Sequence, residues 1–194
     1  MILPFLIASW QLSVFGVTDG GQPFTGPLGD SLRPRLDQGQ DDLAALIEPV
    51  EAAKYHFLAL PVREEWGILM RADDPLAQRA GLQPAEVATL PLVMGRRPIV
   101  RDALADTLQL SPAELNLKVV TNLPGAVPTL LKTGHYYHLG IRGVATQYHD
   151  PALAFVPLIP QTTSGHLLAW KKHRPLSPAA TAFLQFITPL TING

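Results

Sequence analysis

Thr121 and Asn122 stand where side-chain and backbone groups could bind a small anion. They follow the β-branched run that ends at Val120 and precede a helical pattern that extends to about Gly134. This position predicts a helix N-terminus, where free N–H groups and the helix dipole attract negative charge. Plain helix capping explains the same two residue types, because Thr and Asn are good N-cap residues. On residue type alone, capping is the simpler of the two interpretations.

A basic group and two hydroxyl groups offer further candidate contacts. Arg96 precedes a second predicted helix, although the cluster that it forms with Arg97 and Arg101 is more simply explained as a solvated basic patch. Thr25 stands beside a glycine in a Gly-rich region, and Thr163 belongs to the polar run at positions 162–164. A polar hinge loop explains Thr163 better than a ligand contact does.

Catalytic and metal-binding patterns are weak in this chain. His135 and His138 have a spacing that suits two metal ligands, but aromatic packing explains them better, since nothing nearby completes a ligand set. Glu64 and Glu65 are adjacent, and neighbouring residues on a strand point to opposite faces rather than forming an acid/base pair. The sequence has no nucleophile elbow, no phosphate-binding loop and no dinucleotide fingerprint. We therefore expect no enzyme, no metal and no cofactor.

The composition limits the classes of partner. Fifteen basic and 16 acidic residues give a net charge of −1, which does not favour a nucleic-acid surface. The absence of cysteine fits a reducing cytoplasm. The apolar segment Met1–Trp10 does not open with the basic residues of a signal peptide, and it is too short to span a membrane. It is therefore expected to be part of the fold.

Short apolar runs alternate with helical patterns along the chain, which predicts an α/β fold with mostly parallel strands. Helices are predicted at 2–12, 28–38, 84–88, 99–108 and 121–134, and after Ser177. Strands are predicted at 43–47, 54–60, 66–70, 92–94, 117–120, 139–141, 153–159 and 167–170.

Two places suggest that the chain passes directly from one sheet to another. In the first, Leu60–Ala77, two apolar runs meet at the charged residues 63–65 without any turn residue between them. In the second, two apolar runs flank Pro160–Gly165. These crossings predict a first lobe of residues 1–62 and 166–194, with a second lobe, residues 63–165, inserted into it.

Several segments, taken in order, resemble the effector-binding domain of LysR-type transcriptional regulators. They are LPVREEWGILMRADDPLA at 60–77, RLDQG at 35–39, LIEPV at 46–50, LPLV at 90–93 with Arg96, FVPL at 155–158, WKK at 170–172 and SPAA at 177–180. No single segment is specific, whereas their order and spacing are.

The resemblance implies a type 2 periplasmic-binding-protein-like fold of two lobes, joined by two crossover strands that act as a hinge. It also implies a small-molecule effector, an anion being one option, together with a homodimer in the cytoplasm. The family's winged helix-turn-helix does not precede the domain here, so direct DNA binding by this chain is not expected. The first strand of the first lobe is also expected to be missing, and His135–His138 replaces small residues of the family. The candidate effector-binding residues are Thr121, Asn122, Arg96, Thr25 and Thr163. The resemblance bears on Thr121 and Asn122, through the family's helix start at the effector, and on Thr25, through a family loop at the cleft edge.

Three other functions remain open at this stage. A solute-binding protein of the same fold would need an export signal, which the sequence does not show. A catalytic α/β protein would need a nucleophile or phosphate motif. A remnant without a functional ligand site is the third alternative.

Overall fold

The computed structural model describes residues 32–121 and 123–192, which belong to two compact units. Unit 1 comprises residues 32–63 and 165–192 of the described chain, and unit 2 comprises Glu64–Ser164. The expectations for the apolar start, the missing first strand and Thr25 fall on residues 1–31. Together with the expectation for Asn122, they lie outside the described residues.

Six α-helices, two 3-10 helices and seven strands make up the described chain. In order they are α1 (Leu32–Gln38), β1 (Ala44–Ile47), β2 (Tyr55–Arg71), a 3-10 helix (Pro75–Gln78), α2 (Pro84–Thr89), β3 (Leu92–Gly95), α3 (Pro98–Thr107), β4 (Leu117–Thr121), a 3-10 helix (Pro124–Ala126), α4 (Val127–Lys132), β5 (Tyr137–Ile141), α5 (Arg142–Gln147), β6 (Leu153–Pro157), β7 (Thr163–Lys171) and α6 (Pro178–Ile192).

The two helices of unit 1 have the ends that their sequences predict. In α1, Leu32 and Leu36 are one turn apart and both are buried, and the helix ends before Gly39, whose φ of 72° only glycine adopts readily. Before α6, the Ser177 hydroxyl accepts a hydrogen bond from the Ala180 N–H at 3.2 Å. This is N-capping, which satisfies an N–H group that the first turn leaves free.

The two apolar runs that meet at residues 63–65 form one continuous strand, β2. The change of unit falls inside this strand, between Arg63 and Glu64, and the return falls inside β7, between Ser164 and Gly165. Beyond Glu64 the strand is buried over most of its length, which explains why its residues are apolar on both faces.

Strand direction differs from the sequence prediction. Among the described ladders, β1 pairs antiparallel with β7, and β2 pairs antiparallel with both β5 and β6. Only β3 runs parallel to its neighbours, β4 and β5. The expectation of mostly parallel strands is therefore wrong for this part of the chain, because long crossover strands return the chain in the opposite direction.

Each unit has its own apolar core. In unit 1, Leu43, Leu168, Ala180 and Ile187 pack together, so that α6 covers strand residues. In unit 2, the corresponding cluster joins β2, β3 and α4 through Leu69, Val93, Val127 and Leu131. Over the ranges that the structure describes, no helix has the length and apolar character that crossing a membrane requires.

Candidate functional site

Three parallel strands of unit 2 end at the same edge of the sheet. Gly95, the last residue of β3, is in register with Thr121, the last residue of β4. On the other side of β3, Val93 is in register with His138, and β5 continues to Ile141. We call this edge, marked by Gly95, Thr121 and Ile141, the carboxyl edge. Ligands of α/β proteins commonly bind outside the carboxyl ends of parallel strands.

Thr121 ends a strand and does not open a helix, so the predicted helix start at Thr121 is wrong. The chain turns after β4, and the helical path begins with the 3-10 helix Pro124–Ala126 and continues into α4. The Thr121 hydroxyl accepts a hydrogen bond from the Leu123 N–H at 2.9 Å. This hydrogen bond uses one lone pair of the hydroxyl oxygen. The hydroxyl hydrogen of this half-buried side chain remains able to donate to a ligand.

Arg96 is an exposed cation directly beyond the end of β3. Its guanidinium forms no hydrogen bond or ion pair with the residues that the structure describes, whereas each of the other nine arginines has a partner. In the same basic run, Arg101 pairs with Asp102 at 2.7 Å. Arg97 also has an interaction and begins α3 as its N-cap residue. Arg96 is therefore the arginine of this run that a ligand anion can reach without breaking an existing contact.

Two carboxylates occupy the start of α5, which follows β5 at the carboxyl edge. Glu64 is buried and accepts a hydrogen bond from the Gly143 N–H at 2.9 Å. Glu65 accepts two hydrogen bonds from the Arg142 guanidinium, at 2.8 and 2.6 Å, and one from the Gln161 amide at 3.1 Å. The two adjacent glutamates thus contact consecutive residues of α5. Glu65 is balanced by its ion pair with Arg142, so among the described residues Glu64 is the carboxylate at this end without a cationic partner.

The polar run at positions 162–164 lies beside β2 at the same edge. Trp66 is in register with Ile141, its N–H donates to the Thr162 carbonyl at 2.8 Å, and its indole donates to the Ser164 hydroxyl at 2.8 Å. Thr163, between these two residues, begins β7 and has a partner of its own. Register and hydrogen bonds therefore place Arg96, Thr121 and Thr163 along one edge of unit 2.

The two histidines with metal-ligand spacing differ in their surroundings. His138 is buried in β5, and burial lowers its pKa from 6.5 to about 4, whereas His135 is exposed before the strand. Among the described residues, no group of three His, Cys, Asp or Glu side chains is arranged to hold a metal ion.

Sequence patterns did not identify two apolar residues beside Thr121. Val120 is 46% exposed and Leu123 is 62% exposed. The alternation of β4 predicts one exposed face, but nothing in the sequence says that this face lies next to an unpaired cation.

Comparison with known proteins identifies one family. The model of the LysR substrate binding domain matches residues 28–190. No curated protein sequence matches the chain significantly.

Solved structures of LysR-type regulators have a similar fold. The effector binding domain of QuiR in complex with shikimate has a TM-score of 0.69 and 19% identity, over 87% of this chain and 79% of that one. The CcmR regulatory domain of Synechocystis PCC6803, in complex with 2-PG, has a TM-score of 0.67 and 15% identity, over 84% of this chain and 80% of that one. HinK, a LysR family transcriptional regulator from Pseudomonas aeruginosa, has a TM-score of 0.64 and 20% identity, over 84% of this chain. This chain covers 58% of HinK. These similarities confirm the predicted fold class, a type 2 periplasmic-binding-protein-like α/β fold.

Proposed function

The chain belongs to the family of LysR substrate-binding domains, and we propose that it binds its small-molecule effector at the carboxyl edge of unit 2. In this proposal unit 1 and unit 2 are the two lobes of the family's fold. The family match favours an effector-sensing domain of a transcription regulator over a solute-binding protein of the same fold.

One observation carries the location of the site. The register of Gly95 with Thr121 brings an unpaired guanidinium and a hydroxyl donor to adjacent strand ends. A cation and a neutral donor at adjacent strand ends are the kinds of group that bind a carboxylate or phosphate oxygen. In this proposal Arg96 supplies the positive charge that attracts the ligand anion. Thr121 orients the anion by donating a hydrogen bond from its hydroxyl, which at the same time accepts one from the Leu123 N–H.

Binding measurements on two variants test the site. A thermal-shift screen of small metabolites identifies a stabilising compound, and calorimetric titration gives its affinity for each protein. Arg96→Gln should weaken binding about tenfold to hundredfold, because it removes a charged hydrogen bond. Thr121→Val keeps the shape and removes the hydroxyl, so it should weaken binding about threefold to tenfold.

Matched controls lie on α3, next to the site but outside it. Arg101→Gln removes a cation that is already paired with Asp102, and Thr107→Val removes a hydroxyl that donates to the Ala103 carbonyl at 2.8 Å. Both should bind the compound like the unmodified protein. Unchanged affinity in Arg96→Gln and Thr121→Val, with both proteins folded, would place the effector elsewhere.

The proposal includes a homodimer and a cytoplasmic location. Regulators of this family act on DNA inside the cell and pair their effector-binding domains. The hinge at the two crossings remains a prediction, and so do contacts of Asn122, Thr25 and Thr163 with the effector.

A further inference from the structure

Exposed apolar side chains flank the candidate anion site. Five large apolar side chains of the described residues are conspicuously exposed, and two of them, Val120 and Leu123, lie on either side of Thr121 within three positions. Leu123 follows β4, the strand in register with β3, and Arg96 lies directly beyond the end of β3. Val120 lies within β4 and, as the strand neighbour of Thr121, points to the opposite face of the sheet. Apolar surface beside a few convergent polar groups is the usual composition of a small-molecule site.

The turn that presents Leu123 is held in place by three hydrogen bonds. The Thr121 hydroxyl accepts from the Leu123 N–H, and the Leu123 carbonyl accepts from the Ala126 N–H at 3.0 Å. The Tyr148 hydroxyl donates to the Pro124 carbonyl at 3.0 Å. Leu123 is therefore exposed by a fixed turn, and covering it costs little ordering of the backbone.

Space is open on both sides of this turn. A Cβ atom added at Gly95 or at Gly125 would meet no other atom within 4 Å. Gly95 is the register partner of Thr121, and Gly125 follows Leu123 by two positions. The space directly beside Gly95 and Gly125 is therefore unobstructed at the scale of one carbon atom.

The third strand end disfavours a second negative charge. Beyond Ile141, the Glu64 carboxylate accepts from the Gly143 N–H, whereas the charge of Glu65 is balanced by its ion pair with Arg142. Another anionic group that extended from Arg96 along the edge toward β5 would approach Glu64, which has no cationic partner among the described residues. Repulsion between like charges therefore favours an effector with one negative charge.

We propose that the effector is an organic monoanion with an apolar body, whose charged group pairs with Arg96 and whose carbon skeleton lies on Leu123. This inference rests on the proposed function and narrows it to one class of compound, aliphatic or aromatic monocarboxylates. A polyhydroxylated anion of the same size leaves its hydroxyl groups against apolar surface and binds more weakly.

A matched series of compounds tests the class by calorimetric titration at fixed ionic strength. Acetate, butyrate and hexanoate differ only in chain length, and affinity should rise about fourfold for each methylene that becomes buried. Hexanoate should bind more tightly than hexanol, which lacks the charge. It should also bind more tightly than adipate, which has the same carbon number and a second carboxylate, and more tightly than gluconate.

Variants connect each preference to its residue. Leu123→Ser should flatten the dependence on chain length, and Arg96→Gln should remove the preference for hexanoate over hexanol. The control Phe57→Ser removes an exposed apolar side chain of unit 1 and should leave the series unchanged.

The outcomes separate this inference from the proposed function. Tighter binding of adipate or gluconate than of hexanoate, or an unchanged chain-length dependence in Leu123→Ser, overturns the monoanion class. The same holds if no carboxylate of the series binds while a screened compound binds in an Arg96-dependent manner. In these cases the proposed site stands. Binding that is independent of both Arg96 and Thr121 overturns the site and the inference together.

Discussion

His138 is one of four polar side chains that are buried in the described part of the chain. The other three have partners: Asp41 with Arg35, Glu64 with Gly143, and Thr162 with the carbonyl of residue 160. Burial lowers the pKa of His138 to about 4, so the side chain is neutral at physiological pH. A buried imidazole that stays neutral near physiological pH differs from a proton shuttle, which must take up and release a proton in that range.

The unfolding free energy should fall as the pH drops from about 6.5 to about 4. The pKa of His138 is lower in the folded chain than in the unfolded chain, so the unfolded state takes up the proton first. The loss should reach about 3 kcal/mol near pH 4. Urea denaturation at several pH values measures it, with His138→Leu as the variant.

His138→Leu also alters packing and therefore changes the unfolding free energy at every pH. The quantity to compare is how steeply that free energy falls with decreasing pH. The variant should show a smaller decrease in unfolding free energy over this pH range than the unmodified protein. His135→Leu replaces an exposed histidine and should keep the original slope. Equal slopes for His138→Leu and the unmodified protein would contradict the prediction.

The sequence alone predicted the site residues only in part. The residue types of Arg96 and Thr121 by themselves indicate anion chemistry. Their proximity depends on the register of β3 with β4, and the exposure of Leu123 depends on a turn whose hydrogen bonds come from residue 148 and the 3-10 helix. Pairwise contacts of this kind leave no local pattern in the sequence.

At the scale of elements, local signals located most helices and strands, and tertiary contacts explain the exceptions. Helix ends at Gly39 and Ser177 follow from residue type. No sequence pattern predicted α5, since its six residues include Gly143 and β-branched side chains that are poor helix formers. Its first turn is stabilised by carboxylates from positions 64 and 65, far away in the sequence.

Gly143→Ala should destabilise the chain although alanine favours helices. The added Cβ would lie 2.5 Å from Glu64 Oε1, so the buried carboxylate or the helix must shift. The expected cost is about 1–3 kcal/mol of the unfolding free energy. Chemical denaturation measures it, and Gly95→Ala and Gly125→Ala serve as controls, with changes below about 0.5 kcal/mol. A neutral or stabilising Gly143→Ala would show that Glu64 does not constrain this turn.

At the scale of the whole molecule, exposed apolar surface in unit 1 bears on assembly. Phe57 is 48% exposed and Phe186 is 64% exposed, and both belong to unit 1. Large exposed apolar side chains often mark protein–protein contacts.

The chain should therefore sediment as a homodimer at roughly 50 μM, an order-of-magnitude test concentration. Phe186→Glu should weaken the association, because it places a charge on a surface that a partner would cover. Leu123→Ser changes the proposed effector site instead and should leave the sedimentation unchanged. A monomer at this concentration would argue against the homodimer.

The hydrogen bonds of Trp66 also bear on whether unit 2 can be inserted as one fragment into another protein. Through its N–H and its indole, Trp66 joins the first residues of unit 2 to the last ones, at Thr162 and Ser164. A gene fragment that encodes Glu64–Ser164 therefore specifies a chain whose two ends lie together, the arrangement that tolerates transplantation into a loop of another protein. Arg96, Thr121 and Leu123 all lie inside that fragment, so the candidate site can be transferred to a reporter host as a single cassette.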